Sequence, residues 1–96
     1  MTLNLSLPAN MTTDQLLEQR GKTHGDFAVH ARVTQKIKDA IYGDEDANSH
    51  LLSPIQRESV DMIAHKLGRI AAGDPNHKDH WDDIAGYARL VSQRLD

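Results

Sequence analysis

The stretch S-P-I-Q-R-E-S-V-D-M-I-A-H-K-L-G-R-I-A-A-G, Ser53 to Gly73, decides the fold. Ser53 is suited to a helix N-cap, and Pro54 to the first helical position, where its missing N–H costs nothing. Gln56, three residues after the cap, completes a capping box. Val60, Ile63, Leu67 and Ile70 then recur at three- and four-residue intervals, which predicts a long helix with that face in the core. Gly73 followed by Asp74-Pro75 ends it.

The same periodicity extends outward from this helix. Toward the C-terminus, Trp81, Ile84, Ala88, Val91 and Leu95 fall on an a/d-like seam, so a further helix is expected from Lys78 or Asp79 almost to the end. Toward the N-terminus, Gly43 to His50 is an acidic run of loop formers and reads as a mobile connection. Before it, Phe27, Ala31, Val33, Ile37, Ala40 and Ile41 mark the apolar stripe of a helix from about Asp26 to Tyr42. Thr12 and Gln15 form a second capping box, opening a helix through Leu16 and Leu17 that should end near Gly21. Arg20 to Asp26 then read as a compact polar turn with two glycines. Residues 1–11 are expected to be a flexible arm, although the alternation of Leu3, Leu5 and Leu7 also suits an extended segment laid on another subunit. The expected architecture is therefore all-α: a small bundle of three long helices and one short N-terminal helix, in a single domain over residues 12–96.

Composition narrows the function. Ninety-six residues, 39% hydrophobic and 26% charged, allow one small core. No apolar run approaches the roughly 20 residues of a membrane span. No basic segment followed by an apolar core suggests a signal peptide, so a cytoplasmic protein is expected. The absence of cysteine removes disulfide, thiolate and Cys-zinc chemistry. A formal net charge of −3 argues against a general nucleic-acid coat. With one Trp, two Tyr and one Phe, so short a bundle buries little apolar area, and a homo-oligomer is expected.

The informative residues are polar. Glu58, Asp61, His65 and Arg69 are spaced by three, four and four, which lines them along one helix face with Lys66 on the flank. Asp79, Asp82 and Asp83 open the last helix, where the dipole favours carboxylates; Asp79, Asp83 and Gly86 share a face. If the two acidic clusters converge, their oxygens are the ligands Mg²⁺ requires. Capping and solvation account for the same carboxylates equally well. His77 and His80 lie beside Asp79 and Asp83, but no H-E-x-x-H is present. Arg20, Lys22, Thr23 and His24 place positive charge in a glycine-flanked segment that would suit a phosphate, or simply a helix C-cap. It is not a Walker loop.

Three segments together resemble a family of small phage and prophage proteins: R-G-K-T-H-G-D-F at 20–27, Q-R-E-S-V-D-M-I-A-H-K-L-G-R-I at 56–70, and D-H-W-D-D-I-A-G-Y-A-R-L at 79–90. His24 stands where that family usually has tyrosine. More distantly, E-x-x-D at Glu58–Asp61 and D-x-x-D at Asp79–Asp82 are similar to the acidic motifs of MazG-like nucleotide pyrophosphohydrolases. Those are helical oligomers that bind Mg²⁺ through four acidic residues and cleave nucleoside triphosphates to monophosphates. Here Arg57 precedes Glu58, and Asp61 replaces the usual final Glu of E-E-x-x-E.

The resemblance implies a nucleotide-directed protein of the host cytoplasm. As a pyrophosphohydrolase it would hold Mg²⁺ on Glu58, Asp61, Asp79 and Asp83, with Glu58 and Asp61 catalytic. As a non-catalytic protein it would sequester a nucleotide, including a cyclic signalling nucleotide of host antiviral defence. Arg20, Lys22, His24, His65, Lys66, Arg69, Trp81 and Tyr87 are together the expected ligand-binding residues, with Arg20, Lys66 and Arg69 on phosphates and Tyr87 or Trp81 on a base in the hydrolytic reading, and Arg20, Lys22, His24, Lys66, Arg69 and Tyr87 in the sequestering one. A protein-interaction module is the third alternative.

Overall fold

A computed structural model describes residues 10–96, and among these every regular element is helical. The helices are α1 (Thr13–His24), α2 (Phe27–Tyr42), α3 (Pro54–Ala72) and α4 (Lys78–Ser92), with a short 3₁₀ turn at Ser49–Leu51. Most of the arm expected over residues 1–11 lies outside the described residues. No described helix is long and apolar enough to cross a membrane.

Both capping boxes form. Thr12 Oγ1 accepts the Gln15 N–H at 3.1 Å while Gln15 Oε1 accepts the Thr12 N–H at 2.9 Å. Ser53 and Gln56 make the same reciprocal pair at the start of α3. Four donors that a helix start otherwise leaves unpaired are thus satisfied by side chains adjacent in sequence.

The end of α1 differs from expectation. The helix runs through Gly21 and stops one turn later at Gly25, whose φ of +82° is open to glycine and strained for other residues. Gly21 tolerates helical geometry, so nothing forces a stop there. Arg20, Lys22, Thr23 and His24 consequently sit on the last turn of a helix, and the polar turn shrinks to Gly25–Asp26. This turn docks backbone to backbone on the end of α3. The Thr23 carbonyl accepts both the Asp74 N–H at 3.0 Å and the His80 Nε2–H at 3.1 Å. Those two bonds tie α1 to the α3–α4 connection and to the first turn of α4, and Arg20 and His24 line the same hollow as Arg69.

α3 is the central element. It packs against α4 on one flank and α2 on the other, while α1 lies against α2 and α3; α2 and α4 do not meet. α3 and α4 are antiparallel, since Lys66 pairs with Asp83 near one end and Pro54 shares a groove with Arg94 at the other. The residues buried on α3 are small or polar: Ser59, Ala64, Lys66 and Gly68. Close approach explains this. A Cβ at Gly68 would lie 2.8 Å from the His30 ring and collide with Thr34 Oγ1, so α2 crosses where α3 has no side chain.

The aliphatic face read as core is consequently not deeply buried. Val60, Ile63 and Ile70 are half-buried and Leu67 is exposed. On α4 the buried residue is His80, 2% exposed, while Trp81 and Leu95 of the expected seam face outward. Phe27 of the α2 stripe is 77% exposed. Among the described residues only Leu16 and Ala64 are buried hydrophobic side chains. The physical reason is that α2 and α4 each pack on α3 without meeting one another, and apolar stripes close a core only when a further element covers them.

Candidate functional site

The helical face from Glu58 to Arg69 is divided between three surroundings. Glu58 lies exposed in a groove between α3 and α4, beside Tyr87. Asp61 turns to α2 and accepts the Tyr42 hydroxyl at 2.6 Å. Burial, with the bond to Asp61 adding to it, pushes the Tyr42 phenol up to about 12, and Arg57 stacks 4.3 Å above that ring. His65 and Arg69 face α1 and the start of α2.

The acidic residues of α4 are similarly separated. Asp83 pairs with Lys66 at 3.0 Å; Lys66, only 8% exposed, is thereby committed to the α3–α4 seam. Asp82 bonds Lys78 one turn away, and Asp79 lies 3.7 Å from His77 at the exposed helix start. Among the described residues no three His, Asp or Glu side chains are grouped to hold a metal ion. Asp61 and Asp83 thus each have a partner on another helix, whereas Glu58 and Asp79 stand exposed.

Four of the eight expected ligand-binding residues do converge. Arg20 and His24 from α1 and His65 and Arg69 from α3 line a hollow of about 550 Å³, completed by Leu17, His30 and the Gly25-Asp26-Phe27 turn. Lys22 is exposed outside it. Trp81 is half-exposed, its indole N–H donating to the Pro75 carbonyl at 2.8 Å, and Tyr87 lines the α3–α4 groove.

The hollow is electropositive. Neither Arg20 nor Arg69 has a carboxylate within ion-pairing distance among the described residues, and Asp26 is the only acid in the lining. The Arg69 Nε–H is buried without a hydrogen-bond partner. Burial, and after it the charge of Arg20, holds the Arg69 guanidinium below its ordinary value, while Asp83 acts in the opposite direction. The α2 N-terminus opens onto the same space with no side-chain cap from Asp26, adding unpaired N–H groups and the positive end of a helix dipole.

Of the histidines in the lining, His24 and His65 are neutral at pH 7. Burial first, then Arg69, lowers both His24 and His65 to about 4. His30 is lowered mainly by burial, against a hydrogen bond from its ring to the His65 carbonyl at 3.1 Å. Because a carbonyl only accepts, that bond fixes the proton on Nε2. His30 and His65 meet edge to face at 4.5 Å, and Phe27 stands 6.1 Å from His30. The hollow thus combines two arginines with a rim of aromatic and imidazole rings.

Leu17, Phe27 and His30 are the lining residues that sequence reasoning missed. Periodicity assigns Phe27 to the core stripe of α2; the signal against that is its position immediately after Gly25-Asp26, at a helix start rather than in the helix body. Comparison with protein-family models, curated proteins and solved structures found no match to this chain.

Proposed function

We propose that this chain is a nucleotide-binding protein, holding the ligand's phosphate between Arg20 and Arg69 in the α1–α2–α3 hollow without metal and without cleaving it. The carrying observation is the repulsive pair itself. Two guanidinium groups share a partly desolvated hollow, one with a buried and unpartnered N–H, and an anion between them relieves both defects. The α2 N-terminus favours the same charge. A volume of about 550 Å³ suits a small ligand larger than phosphate alone. The exposed ring of Phe27 offers a stacking surface for a base, as aromatic residues do wherever unpaired bases are bound. Hydrolysis is the less supported alternative, since Asp61 and Asp83 are each engaged by a neighbour within the chain.

The test is retention. Pure protein is incubated with a pool of nucleoside mono-, di- and triphosphates and cyclic nucleotides, with and without Mg²⁺, then filtered and denatured, and both fractions are read by mass spectrometry. Unchanged nucleotide released only on denaturation, retained without Mg²⁺ and lost in Arg20→Ala and Arg69→Ala but not in Lys22→Ala, is the expected result. Monophosphate and pyrophosphate appearing only with Mg²⁺ would establish the hydrolytic alternative. Retention indifferent to Arg20 and Arg69 would remove the hollow from consideration.

A further inference from the structure

We propose that the α3–α4 groove is a two-fold interface with a second copy of this chain, in which Glu58 of each copy pairs with Arg94 of the other. The groove, about 360 Å³, is built on Ile55, Tyr87 and Leu90, with Glu58 toward one end and Arg94 toward the other. Ile55 is 52% and Leu90 44% exposed, although both sit where two packed helices should bury aliphatic side chains. Among the described residues α4 packs on α3 alone, so no further helix closes this face.

Charge identifies the occupant as a second copy. Because α3 and α4 are antiparallel, a two-fold axis through the groove's apolar centre, at Ile55 and Leu90, turns the Glu58 end of one groove onto the Arg94 end of the other. The apolar centre then meets its own copy and the two ends meet opposite charge, twice per interface. Neither residue forms an ion pair within the described chain. Gly86 points the same way from an independent observation. A Cβ added there meets nothing within 4 Å, so no contact among the described residues explains a glycine in the middle of α4. It lines a hollow shared with Tyr87 and Leu90, on the same face of α4, where a bare backbone admits close approach of another helix.

This inference is independent of the nucleotide reading, and its test does not involve the anion hollow. Sedimentation velocity of the pure protein, from about 1 to 100 µM to follow mass action, is expected to show a particle near twice the 10.7 kDa chain mass. Leu90→Arg should weaken association about 100-fold or more, as expected for a central apolar contact, with helical content unchanged by circular dichroism. Ile55→Ala, which adds no charge, should weaken it less. The charge argument is tested by Glu58→Lys and Arg94→Glu: each alone should associate poorly, and an equimolar mixture should form the heterodimer, because both cross-pairs are then restored. A chain lacking residues 1–9 should still dimerise. A monomer throughout, an assembly that Leu90→Arg leaves intact, a mixture that fails to recover, or loss of association on removing residues 1–9 would each overturn the proposal.

Discussion

Replacing Gly25 with alanine should be among the most damaging single-methyl changes available in this chain, and replacing Gly21, four residues earlier, should be harmless. At Gly25 the backbone has φ +82° and ψ −178°, a region that costs a residue with a Cβ on the order of 1–3 kcal/mol. The new methyl would also collide with the Ala72 carbonyl and lie 2.8 Å from the Gly73 amide nitrogen. Both obstacles are backbone, so the α1–α2 turn must move away from the end of α3. That movement breaks the two hydrogen bonds received by the Thr23 carbonyl, worth about 1 kcal/mol each. The combined loss is about 3–5 kcal/mol, a large share of the 5–15 kcal/mol by which a domain is usually stable. For a chain of this length it corresponds to a fall in Tm of about 12–40 °C. Gly21 is helical, with nothing within 4 Å of an added Cβ, so alanine there gains up to ~1 kcal/mol of helix propensity. Urea unfolding followed by circular dichroism, at one protein concentration, gives both values. A Gly25→Ala variant within about 1 kcal/mol of Gly21→Ala would refute the backbone docking of α1 on α3.

Stability should fall on mild acidification. His24 and His65 titrate near 4 in the folded chain and near 6.5 when unfolded, so their contribution is complete above pH 6.5 and declines as pH drops toward 4. Allowing for solvent at both rings, the loss by pH 4.5 is about 2–3 kcal/mol; urea midpoints at pH 7.5, 6 and 4.5 check it, and a flat profile would refute it. Tyr42→Phe removes the hydroxyl that holds Asp61 and should cost about 1–2 kcal/mol, measured by the same unfolding assay, with the Arg57 stacking retained. Gly68→Ala should destabilise by about 1–3 kcal/mol despite its better helix propensity, because Thr34 and the His30 ring must retreat. The double change Gly68→Ala with Thr34→Ala should recover part of that loss.

Local chemistry made the helices legible. Ser53-Pro54-x-Gln56 and Thr12-x-x-Gln15 satisfy their own donors without help from distant residues, which is why both starts are readable from adjacent letters. Glycines are less transparent, since the same residue permits a helix at Gly21 and ends one at Gly25, and only the docking of that turn on Ala72 and Gly73 distinguishes them. Burial was legible only in pattern. Val60, Ile63, Leu67 and Ile70 do share a side of α3, but a stripe becomes a core only if something covers it, and that depends on how helices distant in sequence are layered.

The polar row shows the same division. Spacing alone put Glu58, Asp61, His65 and Arg69 along one helix, and they are on it. Tertiary packing then gave them different partners, because α4 flanks the start of the row, the end of α2 its middle, and α1 with the start of α2 its end. Asp61 and Asp83 were drawn to Tyr42 and Lys66, while Arg20 and Arg69, 49 positions apart in the chain, were left facing the same hollow. Sequence determined which residues carry charge and which helix face presents them. Only the crossing of α1 over α3, fixed by a backbone contact at Gly25, determined which charges meet.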